Sequence, residues 1–177
     1  MRAHLLRAPF LALTLLCALA IGARAQPALH SSGPVGDADL LYFAGRPLEA
    51  WELLERHLDA YPDDYEALWR AERARVMAGM AEKEIPDQNH WYDEAIRLGD
   101  RAVALRPDGI EALHWRGAAL GRRALNASAG YAAELAQRLF DDAHAILALD
   151  PDHAGAHNLL GQLFVQVMSL SRIERFI

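Results

Sequence analysis

Few residues of this chain stand in arrangements that chemistry would need. His153 and His157 are four apart, on one face of a helix start, with Asp150 and Asp152 beside them. Two imidazoles and a carboxylate can hold zinc, but no third ligand is obvious and the His-Glu-x-x-His pattern is missing. Capping and packing of the helix start account for the same residues, and that reading is preferred. Ser128, Ser169 and Ser171 lack the strand–turn–helix context of an activated nucleophile. No glycine-rich phosphate loop is present. Adjacent carboxylates such as Asp63-Asp64 and Asp141-Asp142 point apart on a helix, so they suit solvation or capping better than paired acid–base work. The expectation is a protein without catalysis, metal or cofactor.

Proline punctuation reveals the elements. Three segments close alike: LERHLDAYPDD, DRAVALRPDG and AHAILALDPDH. Each is the end of an apolar-periodic helix, then Pro62, Pro107 or Pro151, then an acid. Proline cannot continue a helix and disfavours helix in the residue before it. The following Asp can accept from free N–H groups of the next helix. The spacings, 45 and 44 residues, place the chain among stacked helical units. After the prolines come YEALWRAERA, IEALHWRGAALG and AGAHNLLGQLF, with Gly117 and Gly161 at the same offset of ten. Glycine inside a helix costs about 1 kcal/mol relative to alanine, so its recurrence implies a neighbouring helix passing close. Ala50 and Ala95 recur twelve residues before their prolines. Ile85 to Asn89 reads as a loop between paired helices, and Asn126 to Gly130 as a turn.

These features resemble the tetratricopeptide repeat, a pair of antiparallel helices with small residues at the crossing and a proline after the second helix. The expected fold is all-α: a TPR-like α-solenoid of about three and a half repeats, with units near 31–64, 65–109, 110–153 and a half unit 154–177. A narrower resemblance is carried by ALWRAERA, by EALHWRGAALGRRA and by HNLLGQLFVQVMSLSRIERFI. These are similar to the regulator of microtubule dynamics family. The family's closing block runs here from Ala156-His157 to Glu174-Arg175, with Ser169 to Arg175 the best match, Gln162 where an arginine is usual and Arg172 where a tryptophan is usual. Eukaryotic relatives are linked to microtubules or membrane contact sites. The resemblance implies the fold and a binding role, and no specific partner.

In this architecture the leading helices line the concave groove, which takes extended peptides or partner helices. Counting at 3.6 residues per turn gives one outward stripe along them. It holds Glu66, Trp69, Arg73 and Met77; then Glu111, His114 and Arg122; then Asn158, Gln162 and Gln166. Its charged and amide groups suit hydrogen bonding to a peptide; a merely solvated face is the alternative. Trp51 and Trp91 are expected in the core, whereas Trp69 and Trp115 belong to leading helices. Arg70, Arg73, Arg75, Arg116, Arg122 and Arg123 are expected to pair with Glu66, Glu72 and Glu111 at helical spacing. Acidic peptides or lipid headgroups are the other reading of that run.

The chain has 177 residues with 18 Lys+Arg, 24 Asp+Glu and 53% hydrophobic residues. Residues 1–25 contain three arginines and no acid, so residues 26–177 carry a formal charge of −9. That acidity argues against a nucleic-acid partner, and the apolar content against disorder. Arg2 and Arg7, the apolar run Phe10 to Ile21 and Ala23-Arg24-Ala25 form the three parts of a secretory signal peptide. Cleavage is expected after Ala25, with a flexible leader at 26–36. The sole cysteine, Cys17, lies in that run, leaving the exported chain without thiols. Arginine outnumbers lysine 17 to 1, which suggests a GC-rich bacterial gene and a periplasmic address. No transmembrane span is expected after cleavage.

The last helix has a wide apolar face (Leu159, Leu160, Leu163, Phe164, Val167, Met168, Leu170) and no successor to cover it. A longer chain is the favoured explanation. Self-association or a partner through 154–177, and folding back of the leader, are the others. The preferred function is a scaffold for an unidentified protein or peptide. The alternative is a carrier of a lipid or small apolar ligand between the helices.

Overall fold

The computed structural model describes residues 33–169. The expected signal peptide, residues 26–32 of the leader, and Leu170 to Arg175 of the carboxy-terminal block lie outside the described residues. Seven helices follow one another: α1 (Pro34–Phe43), α2 (Pro47–Ala60), α3 (Tyr65–Ala81), α4 (Ile85–Leu105), α5 (Ile110–Ala124), α6 (Ala129–Leu149) and α7 (Ala154–Ser169). No strand occurs among the described residues. None of the helices is long and apolar enough to cross a membrane.

The three proline turns are built alike. The residue before each proline donates its N–H back into the helix: Tyr61 to His57 O, Arg106 to Ala102 O, Asp150 to Ile146 O. Three residues later the chain donates to that same residue's carbonyl: Asp64 to Tyr61, Gly109 to Arg106, His153 to Asp150. The next helix starts immediately. Its first N–H groups are met by different groups in each unit. Asp64 Oδ1 accepts from the N–H of Glu66 (2.9 Å) and Ala67 (3.2 Å). His153 Nδ1 accepts from the N–H of Ala156 (3.1 Å). Gly109 offers no side chain. A fourth stop, after α1, uses Gly45 at φ 76°, with Arg46 N–H bonded to Leu41 O.

Residues 85–89 correct the expected loop. The chain turns at 82–84, and Ile85 to Asn89 is the first turn of α4. Pro86 fits there because the N–H it lacks would have had no helical acceptor. Pro34 and Pro47 occupy the same kind of place in α1 and α2. The last three residues of the expected leader, 34–36, are therefore helical.

Each helix packs on the next, and the leading helices α1, α3, α5 and α7 also pack side by side. The trailing helices α2, α4 and α6 make no comparable row. That asymmetry curls the stack, with the leading helices inside. Small residues allow the close crossings: Ala50, Ala95, Ala67, Ala112 and Ala143 are at most 1% exposed. A Cβ on Gly117 would meet Leu159 Cδ1 at 2.9 Å. Gly161, at the same offset, has nothing within 4 Å. The close neighbour expected there is absent, because no described helix covers that side of α7. Accordingly Phe164, Val165 and Met168 on α7 are more than half exposed.

Candidate functional site

The inner row begins with an ion-pair and aromatic cluster. Asp39 on α1, 3% exposed, accepts from Arg70 Nε (2.8 Å) and from the Arg73 amino end, both on α3. Arg73 Cζ lies 3.8 Å from the Tyr42 ring and 5.2 Å from that of Trp69. Arg70 also donates to Glu66 Oε2 (2.7 Å), which accepts from Trp69 Nε1 (2.9 Å) as well.

Trp69 and Arg73 are therefore 8% and 6% exposed and do not face outward as the stripe count placed them. The reason is α1: it lies across that part of α3, and its acid draws both guanidiniums in. Phe43, beside the cluster and 62% exposed, takes the outward place instead.

Further along the row, His114 on α5 is half-buried, edge-on to Trp115 (5.3 Å) and His153 (5.7 Å). Its Nδ1 is buried without a partner. Burial, then the nearby His153, holds its pKa below the usual imidazole value.

Arg122, at the end of α5, is half-buried. With Met80, Gln88, Tyr92, Leu125 and Asn126 it lines a cleft of about 170 Å³. The cleft amides are oriented: Gln88 Nε2 donates to Glu82 O (2.9 Å), and Asn126 Nδ2 to Gln88 Oε1 (3.2 Å). Arg122 has no carboxylate within ion-pairing distance among the described residues. On α7, Asn158, Gln162 and Gln166 are exposed, with Gln162 Nε2 donating to Asn158 Oδ1 (3.2 Å). The structure thus gathers Arg122 into a cleft, leaves the amides of α7 open, and tucks Trp69 and Arg73 into a cluster.

The two candidate zinc ligands serve the third turn. His153 caps α7, and His157 Nε2 donates to Pro151 O (2.9 Å). No cluster of three or more metal-binding side chains occurs among the described residues.

The arginine run corrects the pairing expected at helical spacing. Arg70–Glu66 forms, but the other contacts are between helices: Arg73 to Asp39, Arg116 to Asp142 and Asp100, Arg123 to Asp93. Glu72 is fully buried with neither oxygen hydrogen-bonded. Trp51 and Trp91, expected in the core, are only half-buried and flank Arg75. Asp39 went unnoticed in the sequence; its one signal was an acid, two residues after Asp37, in the middle of an otherwise apolar helix.

The family model for Regulator of microtubule dynamics protein 1-3 matches residues 35–177. No curated protein matches the chain in sequence. Among solved structures, the first TPR of Spaghetti (RPAP3), bound to the HSP90 peptide SRMEEVD, superposes with a TM-score of 0.56 at 19% identity. It covers 77% of this chain and 94% of that one. An NMR structure of the first TPR domain of human RPAP3 gives 0.57 at 18% identity with the same coverage. These likenesses establish the fold: an α-solenoid of TPR-like helix pairs.

Proposed function

The chain belongs to the Regulator of microtubule dynamics protein 1-3 family, and from that premise we propose that it is an exported, non-catalytic scaffold holding a peptide segment of another protein along its inner row. One observation carries the reading. Arg122 sits half-buried in a cleft among oriented amides, with no carboxylate paired to its charge among the described residues. A guanidinium so placed suits a carboxylate on the incoming segment, accepted through two parallel hydrogen bonds. Asn158, Gln162 and Gln166 extend the row with groups that can both donate and accept, as an extended backbone requires. A TPR-fold neighbour holds a peptide containing acidic residues, which supports the same use of this architecture.

Peptides selected by display on the purified protein test the proposal. Arg122→Ala should weaken them by about tenfold or more, the scale of one charge-assisted hydrogen bond. Equal binding by Arg122→Ala and Gln162→Ala variants would remove the inner row from consideration. A lipid co-purifying in stoichiometric amount would replace the peptide reading with that of a carrier.

Export to the periplasm rests on the pattern of residues 1–25. The protein recovered from its native host should begin at Gln26 by mass and amino-terminal sequencing. A chain still beginning at Met1 in the cytoplasm would refute that part.

A further inference from the structure

Arg75 is the charge that neither the fold nor the inner row explains. It leaves α3 on the side of the trailing helices and is only 8% exposed. Its Cζ is 3.6 Å from the Trp51 ring on α2 and 5.2 Å from the Trp91 ring on α4. Nε is buried with no acceptor. No carboxylate pairs with it among the described residues; the charges that act on it from a distance are Glu55 on α2 and Arg97 on α4. By contrast, Arg70, Arg73, Arg116 and Arg123 each meet an acid.

The indoles attract the cation through its flat faces, which leaves the in-plane N–H groups unspent. With Nε enclosed, the terminal nitrogens carry what exposure the group retains. Burial pulls the pKa down to about 10, the mark of a cation whose lost hydration nothing has replaced. A guanidinium framed this way is short of one thing: an oxyanion arriving edge-on to accept two parallel hydrogen bonds.

We propose that Arg75, flanked by Trp51 and Trp91, is an oxyanion-binding site on the trailing-helix side of the stack, taking a carboxylate or phosphate group. It is separate from the inner row and does not depend on it. The aromatic walls fix the plane of the guanidinium before the ligand arrives, so little rotamer entropy is lost on binding.

Tryptophan fluorescence reads the site directly, because two of the four indoles touch the cation. The protein as isolated from its host is titrated with sodium phosphate and with sodium acetate, chloride keeping the ionic strength constant. A saturable change with at least one oxyanion, and none with chloride, is expected. A response to phosphate alone identifies a phosphoryl group as the ligand; a response to acetate identifies a carboxylate. Arg75→Lys keeps the charge but loses the planar fork, and should weaken binding about tenfold. A non-saturating response, the same response to chloride, or wild-type affinity in Arg75→Lys overturns the site. If Arg75→Lys does not fold, Glu55→Gln decides. Removing this carboxylate, whose charge acts on Arg75, should tighten oxyanion binding about threefold, and unchanged or weaker binding overturns the proposal.

Discussion

Asp39→Ala is expected to destabilise the protein by about 3–5 kcal/mol, the cost of removing one partner from a buried ion pair. Asp39 is 3% exposed and serves two guanidiniums at once. Arg70 would keep Glu66, but Arg73 would keep only the faces of aromatic rings. Arg73 is itself 6% exposed, and its Nε already lacks an acceptor. The alanine variant therefore strands a desolvated cation between α1 and α3. Asp39→Asn, which keeps an acceptor without the charge, should lose less. Adding Arg73→Met to Asp39→Ala should recover most of the loss, since no unpaired charge then remains. Urea denaturation of the four proteins measures this, and a loss below about 1 kcal/mol for Asp39→Ala would mean that the pair behaves as a solvated surface contact. Because α1 is the first described helix and packs chiefly on α2 and α3, it should also exchange its amide hydrogens first among the described helices. That detachment would take Tyr42 and Phe43 away from the inner row.

Helix boundaries were legible because proline acts locally. Pro62, Pro107 and Pro151 block the helix before them whatever surrounds them, and the three turns share their hydrogen bonds. Pro86 misled for the same local reason: proline also fits a helix's first turn, and only the acceptor pattern separates a start from a stop. The site was less legible because burial there is set by distant residues. Counting along α3 placed Arg73 outward, yet Asp39, thirty-four residues earlier, pulls it inward. The arginine pairs likewise formed across helices, such as Arg116 with Asp142, where helical spacing has no say. The amides of α7 are exposed, whereas Arg122 is half-buried in a cleft with Gln88 and Tyr92 of α4, neighbours that counting along α5 alone does not show.

Glu72→Gln is expected to stabilise the protein increasingly as pH rises. Glu72 stands ten residues after Pro62, the place that Gly117 and Gly161 hold in later units. Its carboxyl is fully buried among α3, α4 and α5 and reaches Gly99, where a side chain would collide with it. Arg116 passes close by, but its Nε and one amino group are bound to Asp142 (3.0 and 2.6 Å), and the other to Asp100 (2.9 Å). No donor meets either Glu72 oxygen among the described residues. Burial therefore drives its pKa well above the ordinary carboxylate value; Arg116 opposes this, and Asp142 and Asp100 add to it. The native state keeps a proton that the unfolded chain releases near its usual value of about 4.3. The stabilisation is complete below that pH and is lost as pH rises towards the native pKa. Glutamine has nearly the same shape and no proton to lose. The two proteins should match near pH 4 and then diverge by about 1.4 kcal/mol per pH unit until the native carboxyl ionises. Urea midpoints at pH 4, 6 and 8 measure the gap. A constant gap, or a wild type more stable than Glu72→Gln at pH 8, would mean that Glu72 is ionised in the native state and that Arg116 turns to it.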